Sequence, residues 1–115
     1  MSANDRMALL QGTLDMLVLK SLLPGARHGY DIARWIQATS DDVLEVEEGS
    51  LYPALHRMER RGWITFEWGQ SESNRRAKFY QLTRAGRAQL AREVSNWETL
   101  VRGIALILKA KPTEA

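Results

Sequence analysis

The chain is expected to fold as a mainly α (α+β) protein, a winged helix-turn-helix that continues into one long C-terminal helix. Three observations predict it. Residues Glu48 to Gly62 carry the pattern of a short amphipathic helix with a glycine stop. Two segments of alternating strand character follow at once, joined by a loop that ends in Asn74-Arg75-Arg76. After Thr83 an unbroken helical pattern runs to about Lys109. The expected division is a winged domain over residues 1–83 and a C-terminal dimerisation helix over residues 84–112.

From about Met7 to Leu23 the apolar residues fall on two faces. Leu10, Leu14, Leu17 and Val18 make one; Leu9, Met16, Leu19 and Leu23 make the other. A surface helix needs a single apolar stripe. This one is therefore either central to the core or turns its second face to another subunit, which would place Leu9, Met16 and Leu19 in a dimer interface. Pro24-Gly25 ends it. A second helix fits His28 to about Thr39, with Ile32, Trp35 and Ile36 inward. Ser40-Asp41-Asp42 makes a turn, and Val43 to Val46 suits a short strand.

The third helix, about Glu48 to Arg61, places Leu51, Leu55 and Met58 at i, i+4 and i+7. Pro53 has no N–H, so it is expected in the first turn or at a bend, and Gly62 supplies the stop. Ile64, Phe66 and Trp68 alternate with Trp63, Thr65 and Glu67, which is strand periodicity. The return strand runs from Ala77 to Gln81 or Leu82. Between them Gly69 to Arg76 is too long for a two-residue hairpin and suits an extended wing. Thr83 is a good N-cap for the last helix. Its apolar residues Leu90, Val94, Trp97, Val101, Ile104 and Leu108 are spaced 4, 3, 4, 3 and 4, a heptad seam. At 1.5 Å per residue this helix reaches roughly 39 Å, more than a small domain covers. An exposed seam calls for a partner helix, most simply a second copy of the chain, because soluble monomers rarely leave so large an apolar patch in water.

A chain of 115 residues suits one domain with such an appendage. Its 44% hydrophobic and 26% charged residues indicate a globular protein and not a disordered one. Without cysteine, disulfides and thiolate metal sites are excluded. No signal-peptide pattern is visible, and no apolar run approaches the ~18 residues of a membrane span. A cytoplasmic chain with no membrane association is expected.

The net charge of +2 says little, but its distribution is informative. Residues 1–49 hold 4 basic and 8 acidic side chains, a net of −4. Residues 50–92 hold 9 basic and 3 acidic, a net of +6, and residues 93–115 balance at 3 and 3. One basic block spanning the third helix and the wing is the footprint of a polyanion-binding surface. On the third helix Ser50, Tyr52, Pro53, His56 and Arg57 are expected to project away from the Leu51-Leu55-Met58 face. Arginine can pair bidentately with guanine, the other polar groups can reach base edges or phosphates, and proline can touch a thymine methyl. In the wing Arg75, Arg76 and Lys78 supply charges for phosphates or a narrow minor groove, and Asn74 a hydrogen bond. Double-stranded DNA is the expected partner.

Catalysis is not expected. His28 and His56 lie far apart with no metal-site spacing around them. The run Asp41, Asp42, Glu45, Glu47, Glu48 lacks the glycine and spacing of a calcium loop. No metal and no cofactor are anticipated. Two other binding classes fit the pattern less well. A protein-interaction winged helix has no need of the basic block. A MarR-like regulator usually carries dimerisation helices at both ends around a longer wing.

Four segments in order resemble the PadR-like transcriptional regulators. They are Leu10-Gln11-Gly12-Thr13-Leu14, His28-Gly29-Tyr30-Asp31-Ile32, Gly49-Ser50-Leu51-Tyr52-Pro53-Ala54-Leu55 and Lys78-Phe79-Tyr80-Gln81-Leu82-Thr83. The single C-terminal helix resembles the short branch of that family, which includes multidrug-sensing repressors. The resemblance implies a homodimeric repressor that binds a palindromic operator. It implies that Tyr30 supports the DNA-binding face and that Ser50 to Tyr52 dock on DNA. It also implies that Trp97, at a seam position, pairs with its copy to sandwich a planar aromatic inducer. Met16 and Asp15 of the first helix can line the same space, and Asp15, unusual in so apolar a helix, would favour cations there; the plainer alternative is that Trp97 fills the dimer core and Asp15 faces solvent. One departure stands out: Glu47-Glu48 occupies the place where a Ser-Pro often opens the recognition helix in the family, and acidic groups there repel phosphate.

Overall fold

The computed structural model describes residues 7, 8 and 11–114. In chain order the elements are β1 (Met7–Ala8), α1 (Gln11–Ser21), β2 (Arg27–His28), α2 (Gly29–Thr39), β3 (Leu44–Glu45), α3 (Glu48–Arg60), β4 (Ile64–Gln70), β5 (Arg76–Leu82) and α4 (Arg84–Lys109), with a 3-10 turn at Pro112–Glu114. The arrangement is the winged helix-turn-helix with a long last helix that the periodicities predict.

Three details differ from the sequence expectation. Met7–Ala8 is not the start of the first helix but a short strand parallel to β3, with Met7 opposite Leu44. The wing is also more regular than expected, since β4 and β5 pair from Ile64↔Leu82 out to Gln70↔Arg76 and leave only residues 71–75 as the connection. Ladder hydrogen bonds come from the backbone, so polar residues such as Gln70 and Arg76 extend a strand that their side chains do not announce. Finally, β2 adds a third strand beside β5, pairing Arg27 with Tyr80 and His28 with Phe79. Two residues are too few to show a period.

The core gathers Leu14, Val18, Leu19 and Leu22 of α1, Ile32 and Ile36 of α2, Leu51, Ala54, Leu55 and Met58 of α3, with Ile64, Tyr80 and Leu90. Of the two alternatives left open by the apolar faces of α1, its central place in the core holds for Leu19. That residue is completely buried within one protomer and is unavailable to a second chain. Leu90 is likewise 6% exposed and belongs to the protomer core, so it cannot take part in an intersubunit seam. Met16 is nearly buried, and Leu9 and Leu10 lie outside the described residues.

α3 ends as expected. Gly62 adopts a φ of 76°, Trp63 N–H donates to the Met58 carbonyl at 3.0 Å, and Gly62 N–H to Glu59 at 3.0 Å, the paired closure of a Schellman motif. Of the two places expected for Pro53, the first turn is not the one it takes: it is the sixth residue of α3. The helix bond it cannot donate would go to Gly49, an exposed residue whose carbonyl can turn to water for a partner. Thr83 caps α4, accepting from Gly86 N–H at 3.0 Å and donating its hydroxyl to the Gly62 carbonyl at 2.6 Å. Beyond Leu90 no residue of α4 is buried, and Val94, Trp97, Val101, Ile104 and Leu108 are all exposed. The helix projects from the winged domain and gives the molecule its 61 Å length against 35 and 22 Å across.

Candidate nucleic-acid interface

The N-terminus of α2, the side of α3 and the inner face of the wing enclose an open cleft of about 830 Å³. Tyr30, Tyr52, Arg75, Arg76 and Lys78 all line it, as does Arg34, which the sequence did not single out. His28 opens α2 as its N-cap, its Nδ1 accepting the Asp31 N–H at 3.3 Å. Gly29 then allows the Tyr52 ring to lie against the helix start; a Cβ there would sit 3.1 Å from the ring. Tyr52 remains half exposed, at 50%, and Tyr30 is 62% exposed with the Arg34 guanidinium 5.5 Å from its ring centre.

The wing supplies the cations in an ordered array. Register places Trp68 opposite Lys78 and Gln70 opposite Arg76 on one face of the hairpin. The Arg76 guanidinium lies 4.3 Å from the Trp68 ring centre, and Lys78 Nζ lies 4.1 Å from Phe66 and 5.7 Å from Trp68. These contacts hold two long side chains in place before any polyanion arrives, which lowers the ordering cost of binding. Besides Arg34, Trp68 is a cleft-lining residue that the sequence did not single out for the site. Its signal was an aromatic in strand period, whose cross-strand basic neighbour becomes visible only with the register. Trp68→Ala is expected to weaken binding to every duplex by about 1 kcal/mol while leaving the salt dependence intact. Arg76→Ala should instead lower the salt slope by about one. Anisotropy titrations at several salt concentrations separate the two outcomes, and an unchanged affinity in Trp68→Ala would deny it the preordering role.

At the wing tip Asn74 takes a left-handed φ of 61°, a conformation asparagine tolerates better than most residues. Its N–H donates to Ser71 at 2.9 Å and Ser71 N–H to Arg75 at 2.8 Å. Asn74 therefore shapes the turn and stands exposed at the tip, outside the cleft lining. Ser50, Pro53 and His56 are exposed along α3, and Glu47 and Glu48 are exposed at its start.

Arg57 is a correction. Expected on the outer face of α3, it is folded under the helix, where its Nη2 donates to Oδ1 of Asp15 at 2.5 Å. The reason is Ala54, one turn earlier on the same side and 1% exposed, which widens the buried stripe toward Arg57 beyond the Leu51-Leu55-Met58 line. Asp15 is corrected with it. Its carboxylate neither faces solvent nor waits for a ligand; it is buried at 6% exposure and occupied by the arginine.

A second, smaller groove of about 280 Å³ lies between α1 and α4, where Met16, Glu93 and Trp97 meet. Trp97 is 46% exposed there. Asp15 does not reach this groove, and Glu93 is the carboxylate that does.

Comparison with known proteins agrees with this geometry. Residues 18–92 match the transcriptional regulator PadR-like family. Among solved structures, a transcriptional regulator from Clostridium thermocellum is 28% identical, with a TM-score of 0.79 over 86% of this chain and 96% of that one. A PadR family regulator from Eggerthella lenta is 30% identical, with a TM-score of 0.73 over 88% of this chain and 86% of that one. Another from Clostridium difficile is 29% identical, with a TM-score of 0.71 over 83% and 97% respectively.

Proposed function

The chain belongs to the PadR-like family of DNA-binding transcriptional regulators, and from that premise we propose that it is a homodimeric repressor reading a palindromic operator. The winged domain, residues 1–83, carries the DNA-binding surface, and residues 84–112 serve as the dimerisation helix. The observation that carries this reading is the division of the surface: Tyr52 of α3, the α2 start and the cationic wing share one cleft, with Ser50, Pro53 and His56 exposed on α3 outside its lining, while the apolar seam of α4 lies bare on a projecting helix. A two-fold pair of such chains sets its recognition helices about 34–36 Å apart, one turn of duplex DNA.

In this dimer Trp97 of each subunit faces the two-fold axis from mid-helix, and the α1–α4 groove opens beside it. A planar aromatic inducer stacks on the indole, and Glu93, in place of Asp15, attracts a positive charge on it. Such a ligand releases DNA only if it prefers a dimer whose recognition helices are misplaced, since equal affinity for both geometries shifts nothing.

The test is titration of the purified protein with duplex DNA from upstream of its own gene and with a scrambled duplex, at several salt concentrations. A preference for the first that persists as salt rises is expected. Equal affinity for both would sink the operator reading. Repeating the titration with a planar cationic dye should release the preferred duplex from wild type and not from Trp97→Ala; release from both places the ligand elsewhere.

A further inference from the structure

On the DNA-binding reading above, we propose that Arg57 is a positioning residue, whose ion pair with Asp15 fixes the seating of α3 on α1 and so the aim of Tyr52, Pro53 and His56. The pair joins residues 42 positions apart in sequence, one on the helix that faces DNA and one on the central helix of the core. α1 and α3 pack against each other, and Leu14, Val18, Leu55 and Met58, from the two helices, belong to one apolar core. Apolar contact is non-directional. It holds α3 down but sets its roll and slide weakly. A charge-assisted hydrogen bond has both a distance and a direction, and it allows one seating.

The pair is poorly suited to a purely stabilising role. The two side chains are 17% and 8% exposed, so both charges are largely removed from water. Arg57 Nε is buried without a hydrogen-bond partner among the described residues. Burial pushes the Asp15 carboxyl above its ordinary range, and the attraction of Arg57 offsets this only in part. Buried pairs of this kind can be replaced by apolar residues of similar size with little or no loss of stability. What the apolar pair lacks is the directional link. The location fits such a role, since Met16, next to Asp15, lines the groove that holds Trp97.

The experiment compares wild type, the apolar pair Asp15→Leu with Arg57→Met, Asp15→Asn and Asp15→Ala. Each is titrated with a duplex that wild type has selected from a random library and with unselected duplex, and its thermal midpoint is recorded. The apolar pair is expected to keep its midpoint and its affinity for unselected DNA while losing about tenfold in discrimination. Asp15→Asn retains an acceptor for Arg57 and should discriminate nearly as well as wild type; Asp15→Ala should not. Wild-type discrimination in the apolar pair would overturn the proposal. Should that pair fail to fold, equal discrimination by Asp15→Asn and Asp15→Ala would overturn it, and loss in alanine alone would support it. If wild type itself selects no duplex, the DNA-binding reading fails first, an outcome distinct from variants that select as well as wild type does.

Discussion

Gly86→Ala is expected to destabilise the protein by about 3 kcal/mol, although alanine is ordinarily the better helix residue. Gly86 is buried in the first turn of α4, and a Cβ there would lie 2.0 Å from the Trp63 carbonyl oxygen and 2.9 Å from its carbon. Both are backbone atoms and cannot swing aside. Thr83 N–H donates to that same oxygen at 3.1 Å, so the carbonyl is held where the methyl would go. Relief requires α4 to lift off the α3–β4 turn, which strains the Thr83 cap and the contact of Leu90 with the core. Urea unfolding measures the cost. Gly103→Ala is the reference, because a Cβ there meets nothing within 4 Å and should stabilise the helix by about 0.5–1 kcal/mol. If both variants proved equally stable, the close approach at Gly86 would not be a feature of the folded protein.

Placing aspartate at both Val101 and Ile104 is expected to separate the subunits of the proposed dimer, at a cost of several kcal/mol for charges buried without partners. Val101 and Ile104 are 43% and 47% exposed in the single chain, and among the described residues none beyond Leu90 belongs to the core, so the winged domain should keep its fold. Sedimentation is expected to show a monomer with native-like near-ultraviolet circular dichroism. Leu90→Asp should behave differently and unfold the protomer, because Leu90 is 6% exposed. An intact dimer in the double variant would remove this stretch of α4 from the interface.

Much of the architecture was legible from periodicity. Apolar residues at i, i+4 and i+7 marked α3, alternation marked β4, and Thr83 marked the start of α4, because these patterns follow from how a helix or strand presents its side chains to a core. The wing's charges were legible for a similar reason: residues 50–92 concentrate basic groups that the folded chain has to display. Short-range rules did less well with two of the short elements. β3 falls within the strand expected at Val43 to Val46, but β1 and β2 are two residues each and depend on partners far along the chain.

The candidate site residues divide along the same line. Tyr30, Tyr52, Arg75, Arg76 and Lys78 could be named from the chain alone, and they do line one cleft. The assignments that changed were those in which two elements compete for one residue. Leu19 and Leu90 carry the spacing of interface positions, yet the protomer core takes both. Trp68 acquires its cationic neighbours only through the β4–β5 register. Arg57 has the composition and helical position of a base reader, and Asp15 those of an isolated charge, until α1 packs against α3 and brings them within 2.5 Å. Which faces are apolar, where helices begin and end, and where positive charge accumulates can all be read along the chain, because they are local consequences of side-chain chemistry and backbone period. Which apolar face is covered within the protomer, and which charge is neutralised there, emerges from packing alone, because burial and ion pairing belong to two elements at once and neither carries a signal for the other.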